Sequence, residues 1–167
     1  WMERRNRTVP EASDYTIETV TEHFLGTIQS KLGIDAMEDS IQVYRGKNDP
    51  AYTVEKTSDG SVSDSLYVES YLQTKDKYAV FFGGNEGLIH IDTDVQNGQR
   101  MLVIKDSYAN CFVPFLLPEF SKIDLLDVRY YNQKVSDLIA QGNYTDILIL
   151  YNAAGFAEDA AIARLNL

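Results

Sequence analysis

The chain has 167 residues, with 25 acidic against 15 basic side chains and a formal net charge of −10. That length can bury a core of its own, while the charge disfavours a phosphate-tracking surface for nucleic acid, and no run of eighteen apolar residues is present to cross a membrane as a helix. One cysteine, Cys111, and two histidines, His23 and His90, exclude an internal disulfide and leave too few ligands for a cysteine- or histidine-built zinc site, so no metal or other cofactor is expected.

Residues Trp1 to Pro10 carry Arg4, Arg5 and Arg7 but no apolar stretch of a signal peptide, so an export signal would lie outside this sequence. Tyr15 to Val20 alternates polar and apolar residues as a half-buried strand does, and Phe24 to Ser30 is a similar short piece closed by Gly33. Ile41 to Arg45 and Tyr52 to Lys56 read as strands separated by the turn Gly46-Lys-Asn-Asp-Pro50. A second turn, Ser58-Asp-Gly-Ser61, precedes Ser65 to Leu72, which fits a short helix or an edge strand. Tyr78 to Phe82 is wholly apolar, as a buried strand would be, and leads into Gly83-Gly84-Asn85. Leu88 to Asp92 is the last strand before the Asn97-Gly98 turn.

The texture changes near residue 98. Met101 to Ile104 has the continuous apolar run of a strand covered on both faces. Asp106-Ser107 interrupts it, and Tyr108 to Leu117 reads as an apolar helix ending near Pro118. Ile123 to Val128 is a second buried strand. Asn132 to Ala140 places Val135, Leu138 and Ile139 at helical spacing, with Gly142 as the expected C-terminal cap. Ile147 to Leu150 is a third strand and Ala157 to Leu165 a last helix. Strand and helix in strict alternation imply crossover connections and a parallel sheet.

In such a sheet ligands collect beyond the C-terminal strand ends. Three loops leave those ends: Asp106 to Asn110, Arg129 to Asn132, and Tyr151-Asn152. The first is the most informative. A serine at a strand-to-helix turn is held above the sheet beside helix N-terminal amides that favour negative charge. Those amides fit an oxyanion site, but Ser107 or Asp106 acting only as a helix cap accounts for the same residues.

Leu102-Val-Ile-Lys-Asp-Ser-Tyr-Ala-Asn110, Val113-Pro-Phe-Leu116 and Asp127-Val-Arg-Tyr-Tyr131 together resemble the C-terminal part of the DHHW proteins. Phe24-Leu-Gly-Thr27, Asp76 to Asn85 and Ile147 to Asn152 extend the resemblance over nearly all of the chain after residue 13. That family is similar to the SGNH hydrolases and to alginate O-acetyltransferases. The resemblance implies an α/β, three-layer, SGNH-hydrolase-like (flavodoxin-like) parallel sheet. It would form one domain over 1–167, with a β-rich irregular part at 1–98 and a βαβαβα part at 99–167. It further implies a bacterial, extracellular or cell-envelope esterase or O-acetyltransferase acting on acylated carbohydrate.

On that resemblance Ser107 is the expected nucleophile, and Gly84, Asn85, Tyr108 and Arg129 the oxyanion or substrate-binding residues. The sequence departs from the family at the segment that names it. An Asp-His-His-Trp stretch, N-terminal to everything matched, would orient and deprotonate the serine, and none is present here. The chain as given is therefore expected to be the C-terminal part of such a domain and nearly inactive. The competing expectation is a non-catalytic envelope protein that keeps the fold to bind glycan or a partner.

Other residues have plainer explanations. His90, in the alternating Gly-Leu-Ile-His-Ile stretch, reads as a half-exposed strand histidine, and His23 as a surface residue. Asn85 fits a turn that tolerates positive φ as well as an oxyanion donor. Arg129 fits an ion pair with Asp127 or Asp106 as well as a substrate contact. Tyr130 and Tyr131 suit stacking on a sugar ring, and Cys111, among Phe112 and Val113, reads as buried and inert.

Overall fold

A computed structural model describes residues 2–5, 7, 9–26 and 38–165. The expected piece Phe24 to Ser30 therefore lies outside the described residues from Thr27 onward, as does Gly33. Strands β1 (Tyr15–Phe24) and β2 (Asp39–Gly46) form an antiparallel ribbon. Its register slips between Thr19 and Thr21 and again before Phe24. Strand β1 runs four residues beyond Val20, across these two slips of register, to Phe24.

A six-stranded sheet carries the rest. In chain order its strands are β3 (Tyr52–Lys56), β4 (Val62–Ser63), β5 (Leu88–Thr93), β6 (Arg100–Lys105), β7 (Lys122–Leu126) and β8 (Asp146–Leu150). In space they run β4-β3-β5-β7-β6-β8. Only β7, β6 and β8 are mutually parallel; β3 and β5 join antiparallel. The sheet is thus mixed, not parallel throughout. The cause is β5, which inserts beside β7 with Ile89 opposite Leu125 and Ile91 opposite Ile123. Apolar residues face both ways on those strands, so pattern alone left the direction of pairing open.

Two helical expectations and one strand expectation are corrected. The segment after β6 winds as a 3-10 helix, Ser107–Glu119, with Pro114 and Pro118 inside it. Each proline lacks the N–H that an α-helix needs, and its ring would meet the carbonyl four residues back. The buried run Tyr78 to Phe82 is no strand: Lys77–Val80 is a 3-10 turn, and Phe81 makes a single bridge to Tyr67. Five apolar residues cannot distinguish these outcomes by periodicity. Near the C-terminus, α2 (Ala153–Glu158) starts earlier than expected and breaks at Asp159, whose carboxylate accepts from the Ala161 amide and starts a separate 3-10 turn, Ala160–Leu165. Helix α1 (Val135–Gly142) forms as expected, but its left-handed residue is Asn143, at φ 49°, not Gly142.

The sheet buries both faces. On one, Ile89, Met101, Val103 and Leu125 pack with Val113, Leu116 and Leu117 of the 3-10 helix and with Ile41 and Val43 of β2. On the other, Leu88, Leu102, Ile104 and Leu126 pack with Val135, Leu138 and Ile139 of α1 and with Leu165. Met101 to Ile104 are essentially inaccessible, and each such side chain contributes about 2 kcal/mol relative to an exposed one.

Candidate active site

Strand β6 lies between two parallel neighbours, and the chain leaves their ends toward opposite faces. The segment after β6 packs on the Val103 face, whereas those after β7 and β8 pack on the Leu102 face. A divergence of this kind opens a crevice at the C-terminal strand ends. Ser107 stands there, as the first residue past Asp106.

Asp106 organises the turn. Its Oδ1 accepts from the Tyr108 amide at 2.9 Å and its Oδ2 from the Asn152 amide at 3.1 Å, joining the ends of β6 and β8. Asn152 in turn caps α2 by accepting from the Ala154 and Gly155 amides. A Cβ at Gly155 would come 3.2 Å from Asp106 Oδ2, so a larger residue would press on this carboxylate. The cap of the 3-10 helix is therefore Asp106. The Ser107 hydroxyl, partly exposed, makes no hydrogen bond among the described residues. The Tyr108 amide, expected at an oxyanion site, is instead occupied by Asp106, and the Tyr108 ring points to solvent.

The second loop is held by an ion pair. Arg129 grips Asp127 through Nε at 2.9 Å and Nη2 at 2.6 Å, and its own amide also donates to Asp127. The contact seen for Arg129 is this structural pair, reinforced by its guanidinium lying 5.4 Å from the Tyr130 ring centroid. Tyr130 is exposed, while Tyr131 is buried against the α1 side.

The glycine-rich loop comes to the same strand end. The Asp127 amide donates to Gly87 O, and a Cβ at Gly87 would fall within 3.0 Å of the Tyr130–Tyr131 peptide. Positive φ is taken by Phe82 (63°), Gly83 (73°) and Gly84 (113°), and not by Asn85. A buried phenylalanine in the left-handed region is strained backbone, which clusters at sites that hold a special loop geometry. The Asn85 side chain is exposed and makes no hydrogen bond among the described residues.

One polar residue at this strand end, Lys105, was given no role in the sequence analysis. Lys105, the last residue of β6, is only 1% exposed. Burial pulls its ammonium down to about 8, against the upward pull of Asp127. Both nearby carboxylates are already taken, Asp127 by Arg129 and Asp106 by backbone amides, and Lys105 makes no ion pair among the described residues. Asn110 Oδ1 and the Tyr151 hydroxyl are buried and have no hydrogen-bond partner among the described residues. The available signal was a lysine closing an otherwise apolar strand.

Neither histidine belongs to this group. His90 Nδ1 sits 2.7 Å from Asp124, which also accepts from the Tyr144 hydroxyl. Asp124 is level with Leu102, three strand residues and about 10 Å before the end of β6. His23, on the ribbon, is exposed and pairs with Glu38. Cys111 is exposed rather than buried, its thiol directed to the Tyr108 carbonyl. A cleft of about 180 Å³ between Tyr15, Asp49 and Phe115 does not include Ser107.

A sheet of this kind with a serine turn at its parallel end falls in a recognised class: residues 13–126 match the family model described as "DHHW protein", and the chain belongs to that family. Among solved structures, it is similar to a DHHW family protein from Eubacterium siraeum, with 27% identity and a TM-score of 0.80 over 98% of this chain and 56% of that one. It is also similar to Bacillus cereus PatB1, solved alone (27% identity, TM-score 0.67, 90% of this chain and 52% of that one) and with a sulfonyl adduct (28%, 0.66, 90% and 50%). The chain thus spans about half the length of the solved structures it matches. No curated protein matches it.

Proposed function

We propose that this protein is an SGNH-like serine esterase or O-acetyltransferase of the bacterial cell envelope, acting on acylated carbohydrate, with Ser107 as nucleophile. The observation that carries this is the Ser107 hydroxyl, partly exposed and unpartnered among the described residues at the end of the central parallel strand, while Asp106 takes the capping role. The sulfonyl adduct of PatB1 supports it, because sulfonylating reagents form adducts with nucleophilic side chains. In this reading the Ser107 oxygen attacks the acyl carbonyl while its proton passes to a base, and the ester C–O bond then breaks, releasing the donor sugar oxygen, which takes up that proton. The acyl-enzyme then transfers its acyl group to water or a sugar hydroxyl. Gly84 and Asn85 would face the developing oxyanion, and Arg129, beyond its pairing with Asp127, would border the substrate.

Among the described residues no base is hydrogen-bonded to Ser107. His90 and His23 are both committed to carboxylates elsewhere, and a serine without a base is a weak nucleophile. The test follows from that deficit. The chain is incubated with a sulfonyl fluoride, with and without imidazole as an external base, and the adduct is mapped by mass spectrometry. The expected result is slow modification of Ser107, accelerated by imidazole and absent in Ser107→Ala. If Ser107 reacts no faster than other exposed serines under either condition, the proposal fails.

The absence of a base within reach among the described residues also favours a second reading, a non-catalytic glycan-binding module. Exposed Tyr108 and Tyr130 then act as stacking surfaces. It requires glycan binding that survives Ser107→Ala and is lost in Tyr130→Ala, with no acyl turnover.

A further inference from the structure

The start of β1, the end of β2 and the far end of the 3-10 helix from Ser107 enclose a cleft of about 180 Å³. Its apolar side is aromatic: Tyr15 and Phe115 meet edge-on with ring centroids 5.1 Å apart, and Pro118 extends them. Asp14, Asp49 and Glu119 complete the lining, and no lysine, arginine or histidine joins them among the described residues. Pockets for drug-sized ligands hold about 300–1,000 Å³, so an occupant of this one is small.

Two polar groups of the cleft lack partners. Tyr15 is 6% exposed, yet its hydroxyl makes no hydrogen bond among the described residues, whereas a buried phenol normally finds one. Burial first, then the charges of Asp49 and Asp14, push this phenol up to about 12, so it is a neutral hydroxyl beside two carboxylates. Asp49 Oδ2 accepts from the Gly46 amide at 2.9 Å, which leaves Oδ1 without a hydrogen bond among the described residues. Burial raises the Asp49 carboxyl, and only that amide opposes the rise. Neither Asp14 nor Asp49 has an ion pair among the described residues. Neighbouring cations are committed elsewhere. Lys47 donates to the Ser13 carbonyl at 2.9 Å, and Arg7 holds Asp146 at 2.6 Å while standing 3.8 Å from Glu119.

Carboxylates in excess, an unpaired phenol oxygen and aromatic walls are complementary to a small organic cation. The oxygens accept its N–H groups and the rings attract its charge. With Asp49 Oδ2 already occupied, the acceptors are separate single oxygens. That arrangement suits the rotatable donors of an ammonium better than the planar fork of a guanidinium. We propose that this cleft binds a primary alkylammonium, held by Asp49 Oδ1 and the Tyr15 hydroxyl with its alkyl part against Phe115. The site is distinct from Ser107 and does not depend on that serine's chemistry.

The probe is n-butylammonium, with n-butanol as its neutral counterpart, titrated into the isotope-labelled chain and followed by amide shifts in NMR. The expected result is saturable shifts at Tyr15, Gly46, Asp49 and Phe115 and none at Ser107 or Asp127. n-Butanol should bind about tenfold or more weakly. Asp49→Asn keeps an acceptor for the Gly46 amide and should weaken butylammonium about tenfold. Tyr15→Phe keeps the ring packing and should weaken it about fivefold. Melting temperatures separate lost binding from lost folding, and if Asp49→Asn fails to fold, Tyr15→Phe and the butanol comparison decide. Butanol binding as tightly as butylammonium, the same shifts from potassium chloride at equal ionic strength, no saturable shift at the cleft, or unchanged affinity in either folded variant would each overturn the proposal.

Discussion

Asp106 and Lys105 show how two adjacent residues divide the work at one strand end. The Asp106 carboxylate satisfies amides from two different loops, so Asp106→Ala leaves both unpaired in a buried place. The expected loss is about 2 kcal/mol, read as a lower urea midpoint. Lys105 acts in the opposite sense. Its folded-state pKa, about 8, lies below its ordinary value of 10.5 because burial penalises the charge. Below pH 8 the folded protein carries that buried ammonium at a cost. Between pH 8 and about 10 the unfolded chain holds a proton that the folded state has released, so stability rises with pH. The full effect is about 3 kcal/mol. Above that window it is opposed by buried tyrosines such as Tyr15, raised to about 12 by burial first and then by Asp49, because the unfolded state ionises before they do. Lys105→Met should therefore be more stable than the parent at pH 7 and show no rise from pH 8 to 10, measured by urea unfolding across that range.

At the scale of elements, two residues hold left-handed backbone without being glycine. Asn143 closes α1 at φ 49°, ψ 41°. Asn143→Ala is expected to cost about 1 kcal/mol, whereas Asn143→Gly should be neutral or slightly stabilising, and a thermal melt of each distinguishes them. Phe82, at φ 63°, begins the Gly83-Gly84-Asn85 loop and is 2% exposed. Phe82→Gly would relieve about 1–2 kcal/mol of strain but leave a cavity worth about 3–5 kcal/mol. The cavity is the larger quantity, so the variant should unfold at lower denaturant. Both positions were hard to read from sequence. Asn143 follows a glycine that looked the better cap, and nothing in an apolar run marks one phenylalanine as left-handed.

Across the whole molecule, the N-terminal segment is tied to the far edge of the sheet. Arg7 reaches Asp146 of β8 at 2.6 Å and Gln99 at 3.1 Å, and lies over the Phe120 ring at 4.4 Å. Its partner carboxylate is almost wholly buried. Arg7→Met should thus cost about 3 kcal/mol, with little dependence on salt because a buried pair is weakly screened. Denaturant titrations at low and high ionic strength check both points. From sequence, Arg7 was one of three arginines in a short basic stretch, with no sign of a contact 139 residues away.

The residues themselves determined the apolar strands β6, β7 and β8, the amphipathic α1 and the break at Asp106-Ser107, because continuous apolar runs and helical spacing leave marks within a few residues. The family motifs were legible for the same local reason. Only the tertiary structure decided that β5 enters antiparallel and that Asp106 rather than Ser107 is the cap. It alone set Lys105, Asp127 and Arg129 together and turned His90 away to Asp124. Strand direction, partner choice and the burial of a charge depend on contacts between residues far apart in the chain, and no local pattern encodes them.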